Sequence, residues 1–239
     1  MTDIRMTDFK YVGSELDLFA AVHHWKSYWS AVLRPFIQGD VLEVGAGIGS
    51  NTRYLDTGRL GRFVCLEPDR QLICRLEEQL RNGPGKYEAR CGTLESIPAA
   101  QQFDTICYID VLEHIQDDAA ELNRAAAHLR PGGRVIVLSP AHQWLFTPFD
   151  AASGHFRRYT RGMLKSISPA GLQLESCRYL DSVGMAASAA NLWFLKQSMP
   201  TQKQLHFWDT FLVPPSRVLD PLFLHSFGKT IVAVWRVAR

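Results

Sequence analysis

The apolar residues of this chain change period after about forty positions. Between residues 16 and 36, Leu18, Phe19, Val22, Trp25, Trp29, Val32, Leu33 and Phe36 recur at steps of three and four. That spacing is one apolar face of a single helix, ended by Pro35 and Gly39. Beyond Gly39, apolar runs too short for helices alternate with helical stripes. Strands are predicted at Val41, Leu42 and Val44, then at 62–66, 87–91, 103–109 and 134–138. Helices are predicted at 51–55, at 70–80 on Leu72, Ile73, Leu76 and Leu80, and at 121–129, with turns at Asn82-Gly83-Pro84-Gly85 and Arg130-Pro131-Gly132-Gly133. A strand-then-helix alternation repeated five times predicts an α/β fold: a parallel sheet covered on both faces, with its ligand at the carboxyl ends of the strands.

The last third keeps this pattern only in part. A short helix is predicted at 161–167, a sixth strand at 172–179 and a last at 229–237. Between these two strands lie about fifty residues rich in large apolar side chains, among them Met185, Leu192, Trp193, Phe194, Trp208, Phe211 and Phe223, and broken by Pro200, Pro214, Pro215 and Pro221. Two or three helices are expected there, as a lid, a contact in a homodimer or a membrane-surface patch. The 239 residues, 46% hydrophobic, then form one domain. Its parts are an N-terminal helical cap (1–39), a core (40–183 and 228–239) and a helical insertion (184–227).

Charge narrows the partners. The 26 basic and 24 acidic residues nearly cancel and are interspersed, which gives no nucleic-acid track. Five cysteines without a C-x-x-C pair read as reduced thiols in the cytoplasm. Asp3, Asp8 and Glu15 interrupt the start where a secretory signal would need an apolar stretch. No apolar run reaches the roughly 18 residues of a membrane span.

The candidate chemistry begins where the first strand ends. Gly45, Gly47 and Gly49 form G-x-G-x-G, a tight turn that lets a ligand approach the backbone beside a helix N-terminus. Dinucleotide sites use G-x-G-x-x-G instead, which disfavours a nicotinamide oxidoreductase. Glu67 closes the second strand 18 residues past Gly49, where an acid can accept hydrogen bonds from both hydroxyls of a ribose. As an acid at the start of the next helix it would also suit the helix dipole.

Four segments in this order, V-L-E-V-G-A-G-I-G-S, C-L-E-P-D, F-D-T-I-C-Y-I-D-V-L-E-H-I and L-R-P-G-G-R-V-I-V, resemble the class I S-adenosylmethionine-dependent methyltransferases over residues 40–140. The resemblance implies a Rossmann-like, seven-stranded, mostly parallel sheet with its last strand antiparallel and S-adenosyl-L-methionine across the ends of strands one to four. It places Glu43, Gly45, Gly47, Gly49, Glu67, Pro68, Thr93, Leu94, Asp110 and His114 at the cofactor. Gly45, Gly47 and Gly49 would approach the methionine moiety and ribose. Glu67 would take the ribose hydroxyls, Thr93 and Leu94 would flank the adenine, and Asp110 would border the methionine amino group. Thr93 departs from the acid often found there, so adenine N6 would turn to a backbone carbonyl or Glu95. His114 reads as packing near the cofactor.

The acceptor must be met by the loop after the fifth strand, with Ser139-Pro140-Ala141-His142-Gln143-Trp144, Asp150 and Gly154-His155-Phe156-Arg157-Arg158-Tyr159-Thr160. This loop is similar to a bacterial subgroup of these enzymes that carries a G-H-x-R-R-Y-T segment, some associated with cell-surface sugar or lipid biosynthesis. His142 and His155 are the candidate general bases, with Tyr159 as a hydrogen-bond partner. Arg157 and Arg158 are candidates for a two-pronged contact to an acceptor carboxylate or phosphate; equally, the loop's histidine and arginines could pin its own carbonyls. Trp25 and Tyr28 would line the ligand if the N-terminal helix closes over it. A general base is optional, because aligning an acceptor with an activated methyl group can itself contribute about 7 to 11 kcal/mol. The expected reaction is methyl transfer to an apolar or carboxylate-bearing small molecule at oxygen or nitrogen, with carbon left open. The alternative is a scaffold that binds the donor without transferring its methyl group, or that uses it for other chemistry. No metal is expected, since Asp117 and Asp118 read as helix-start acids, and Cys91 and His114 lack zinc-ligand spacing.

Overall fold

All four residues of β1 (Val41–Val44) and all five of β2 (Phe63–Glu67) are buried. Strands with no wet face need cover on both sides, which helical crossovers supply. The computed structural model describes residues 16–81, 87–191 and 201–238. The Asn82-Gly83-Pro84-Gly85 turn and the insertion residues from Leu192 to Pro200 lie outside them. Parallel strands β3 (Tyr87–Cys91), β4 (Phe103–Ile109) and β5 (Leu129–Pro140) join β1 and β2, and β7 (Thr230–Val237) runs antiparallel between β5 and β6 (Leu172–Leu180). The sheet has seven strands in the order β3-β2-β1-β4-β5-β7-β6. This is the expected α/β architecture. One core, with Trp29, Leu33, Leu76 and Trp208, packs on one face, and a second, with Leu122, Leu164 and Tyr159, on the other.

Three elements differ from the sequence pattern. The N-terminal helix is broken into α1 (Leu16–Ala20) and α2 (His24–Leu33), followed by a tight turn over Arg34–Phe36. One carboxylate, Asp209 from the insertion, accepts the N–H groups of His23, His24 and Trp25 at 3.0, 3.1 and 2.8 Å. It thereby satisfies the orphan donors of a helix start in mid-stripe. No glycine or proline marks that break, so local sequence did not reveal it.

The Arg130-Pro131-Gly132-Gly133 segment belongs to β5 and is not a free turn. Leu129 pairs with Phe103 and Arg134 with Thr105, so β5 bulges by three extra residues against β4. Arg130 holds the bulge by binding Asp40 at 2.8 Å and Asp104 at 2.6 Å.

The described part of the insertion holds α3 (Ser182–Ala190) and a helical run of α4 (Gln202–Phe207), a wide π turn (Trp208–Leu212) and α5 (Val213–Leu222). Pro214 and Pro215 sit where the π turn passes into α5, and the run continues through them. Two fully buried aspartates fasten it. Asp181 accepts from Trp208 Nε1 and Ser216 Oγ, both at 2.7 Å. Asp220 accepts the Asp181 and Ser182 amides and the Tyr28 hydroxyl at 2.6, 3.0 and 2.8 Å. Phe211, Val218, Leu222 and Leu224 face outward from this unit and are exposed. No helix among the described residues is long and apolar enough to cross a membrane.

Candidate functional site

The three glycines after β1 all adopt positive φ, at +68° for Gly45, +57° for Gly47 and +78° for Gly49, but for different reasons. A Cβ on Gly45 would lie 2.7 Å from a Val111 methyl and one on Gly49 2.7 Å from a Leu76 methyl, so both are needed for packing. At Gly47 the nearest atom is a Leu16 methyl at 3.6 Å, which leaves a seat above the backbone. The Gly47 amide donates to Glu67 Oε2 at 2.8 Å and the Asp69 amide to Oε1 at 2.9 Å. Each of those oxygens keeps a second lone pair, a donor-accepting set that suits a diol. Beneath the loop, buried Glu43 accepts from Thr52 Oγ1 at 2.7 Å, and burial raises its carboxyl to about 7. Lys26 of α2 donates to the Ser50 carbonyl at 3.3 Å, and burial lowers its ammonium to about 8.

A second cluster of titratable groups lies where β4 ends and in the loop after β5. Asp110, at φ +56°, is solvent-exposed yet ringed by protein, and that surrounding raises its carboxyl to about 6 despite the positive charges of His155, Lys26 and Lys229. Asp150, 1% exposed, accepts His155 Nδ1 at 3.0 Å, and Arg158 Nε and Nη2 at 2.9 and 2.8 Å. Burial disfavours its charge, but the bonds from His155, Arg158 and Thr147 hold it well below the ordinary range. His155 is raised above its ordinary value: burial opposes its charge, and the Asp150 bond with Glu113 and Asp110 nearby outweighs that. Against it, edge to face at 4.6 Å, stands His114, lowered to about 4 by burial and by His155.

A profile of the methyltransferase domain family matches residues 20–188, more than half of the chain. The chain belongs to that family. Among curated relatives, ubiquinone biosynthesis O-methyltransferases from a Bradyrhizobium species and from Parvibaculum lavamentivorans are 30% and 29% identical over 105 and 143 residues. These alignments take in 44% and 57% of this chain but only 41% and 56% of the relatives, so the chain matches about half of their length. A methyltransferase in complex with the Haloferax volcanii Trm112 activator superposes with a TM-score of 0.63 at 17% identity, over 95% of this chain and 100% of that one. The N-methyltransferase NodS from Bradyrhizobium japonicum, solved with S-adenosylhomocysteine, gives 0.54 at 14%, over 90% and 86%. At such identities these two share the fold.

In this methyltransferase several candidate residues have other jobs. Tyr159 is fully buried, and its hydroxyl binds Asp118 at 2.8 Å and the Leu112 carbonyl at 3.1 Å; it anchors the loop and does not serve a histidine. Arg157 spends its fork on Asp118 and the Gln116 carbonyl, and Arg158 on Asp150, so neither waits for an acceptor anion. Trp25 and Tyr28 are buried, Trp25 against Trp208 and Tyr28 on Asp220, while Leu16 of α1 is what approaches the glycine loop. The Leu94 side chain is core, 1% exposed, and Glu95 is paired with Arg124, so neither side chain is set for an adenine. Thr93 is exposed and Pro68 half-buried, just past the ends of β3 and β2. His142 stacks on Tyr179 at 4.7 Å, away from the pair formed by His114 and His155. The structure adds Lys26 and Glu113, which the sequence showed only as polar residues, and gives Ser139 and Asp150 of the acceptor loop their partners, Glu113 for the one and His155 and Arg158 for the other.

Proposed function

We propose that this S-adenosylmethionine-dependent methyltransferase methylates the oxygen of an apolar small molecule. The observation that carries the donor side is Glu67, whose carboxylate fixes Gly47 and keeps lone pairs for two hydroxyls. When bound, the cofactor supplies a methyl group on a sulfonium, already activated for displacement. The protein must then place the acceptor oxygen and receive its proton. His155 sits where it can do so: Asp150 holds its Nδ1, which leaves Nε2 free as the accepting atom. Trp144 and Phe156, 50% and 51% exposed on the same loop, favour an apolar, flat acceptor. With both arginines paired internally, a carboxylate on the acceptor has less support. The O-methyltransferase relatives point the same way, over less than two thirds of their length. The described part of the insertion, fastened by Asp181 and Asp220, would then stand beside this site as a wall and not as a moving lid.

The test is mass spectrometry of phenols, hydroxy acids and amines incubated with enzyme and S-adenosylmethionine. At least one apolar hydroxyl compound gains a methyl group, and His155→Ala slows that by about 10² or more. Because His155 must be neutral to accept a proton and its pKa is raised, turnover climbs with pH through a midpoint above the ordinary histidine value. Methylation of amines alone, or a fully active His155→Ala enzyme, contradicts this reading.

A further inference from the structure

The reaction as described leaves Glu113 and His114 without a task, and both stand against His155. Glu113 is fully buried; Ser139 Oγ donates to its Oε2 at 2.9 Å, while Oε1 has no hydrogen-bond partner among the described residues. An unanswered carboxylate oxygen in the interior is costly unless something binds it. One ligand-capable atom from each of Glu113, His114 and His155 lies within 4.8 Å of the other two. The convergence is built by the backbone, since the Phe156 amide donates to the Glu113 carbonyl at 2.8 Å and so brings the loop to the end of β4.

We propose that Glu113, His114 and His155 bind a divalent transition-metal ion that keeps open positions for an acceptor oxygen. Two imidazoles and a carboxylate are the donor set of catalytic zinc and of non-haem iron sites, and are softer than magnesium prefers. With bonds of about 2.1 Å, tetrahedral ligand atoms stand about 3.4 Å apart, so the three groups need to close by little more than an ångström. The supporting shell is already in place. Asp150 takes Nδ1 of His155, the Gly154 backbone hydrogen-bonds to His114, and Ser139 holds Glu113. Metal-binding histidines are oriented in this way by carboxylates and carbonyls. Asp110 adds negative charge close enough to act on Glu113, which further favours a dication.

Binding of the ion stands by itself; its use rests on the methyl-transfer reading. With the ion present His155 becomes a ligand, and the ion takes over the task given above to the imidazole by lowering the pKa of the bound acceptor hydroxyl.

The test is titration of the chelator-stripped, full-length protein with Co²⁺, followed by visible absorption, and with Zn²⁺ by calorimetry. The expected result is one ion per chain, a cobalt spectrum that zinc abolishes, and affinity at least tenfold weaker in His114→Ala, His155→Ala and the near-isosteric Glu113→Gln. Far-ultraviolet circular dichroism and a cooperative thermal transition show that each variant is folded. No cobalt spectrum in the wild type, or an unchanged spectrum in a folded His114→Ala/His155→Ala double variant, overturns the proposal. If the ion fails to bind while methyl transfer persists, only this inference falls. If the ion binds and no acceptor is methylated, the metal site stands and the transferase reading falls.

Discussion

At the end of β2, Glu67 fixes its surroundings through two backbone amides, Gly47 and Asp69, one of them only two residues away. In the loop after β5, Asp150 does so mainly through side chains, gathering His155, Arg158 and Thr147, whose amide also donates, around a buried carboxylate. The first arrangement tolerates many substitutions nearby, because every residue but proline supplies an amide. The second depends on each partner's identity. The seat at Glu67 is therefore a main-chain device and the surroundings of Asp150 a charge network, and the two should fail differently.

The largest effect is expected at Asp150. Replacing it with alanine strands the Arg158 guanidinium and loosens His155, a loss of about 3–5 kcal/mol in unfolding free energy by chemical denaturation. Because the folded protein holds this carboxyl below its ordinary range, its contribution is complete above about pH 4 and is lost as the pH falls below that. Asp150→Asn should flatten that acid limb. An Asp150→Ala protein of unchanged stability would mean that the network is ornamental.

A smaller effect sharpens the contrast. Tyr28 lies on the N-terminal helix, but its hydroxyl bonds to Asp220 of the insertion. Tyr28→Phe should cost about 1 kcal/mol of stability and leave adenosylhomocysteine affinity unchanged. Weakened affinity at full stability would return Tyr28 to the ligand.

The same contrast explains what the sequence made legible. The strand order and the seat at Gly47 follow from local signals: short apolar runs, glycines at a strand end and an acid at the next. Even there, two of the three glycines proved to be packing residues, since only the positions of Val111 and Leu76 in space reveal what their missing Cβ atoms avoid. On the acceptor side, residue types were visible but pairings were not. Arg157 and Arg158 looked like anion clamps until their fixed partners Asp118 and Asp150 were seen. Glu113 and His114 meet His155 across some forty residues of chain, with no spacing rule to announce it. The break between α1 and α2 is of the same kind, made by Asp209 from the far end of the sequence.

Calorimetric titration of S-adenosylhomocysteine into the wild-type protein and Glu67→Gln, side by side, tests whether Glu67 holds the methyl donor. A glutamine turns one of its ends into a donor against the Gly47 or Asp69 amide. The wild type should bind at micromolar affinity, about −8 kcal/mol, and the variant at least tenfold more weakly. No binding by folded wild-type protein free of copurified cofactor, or equal binding by both proteins, would contradict it.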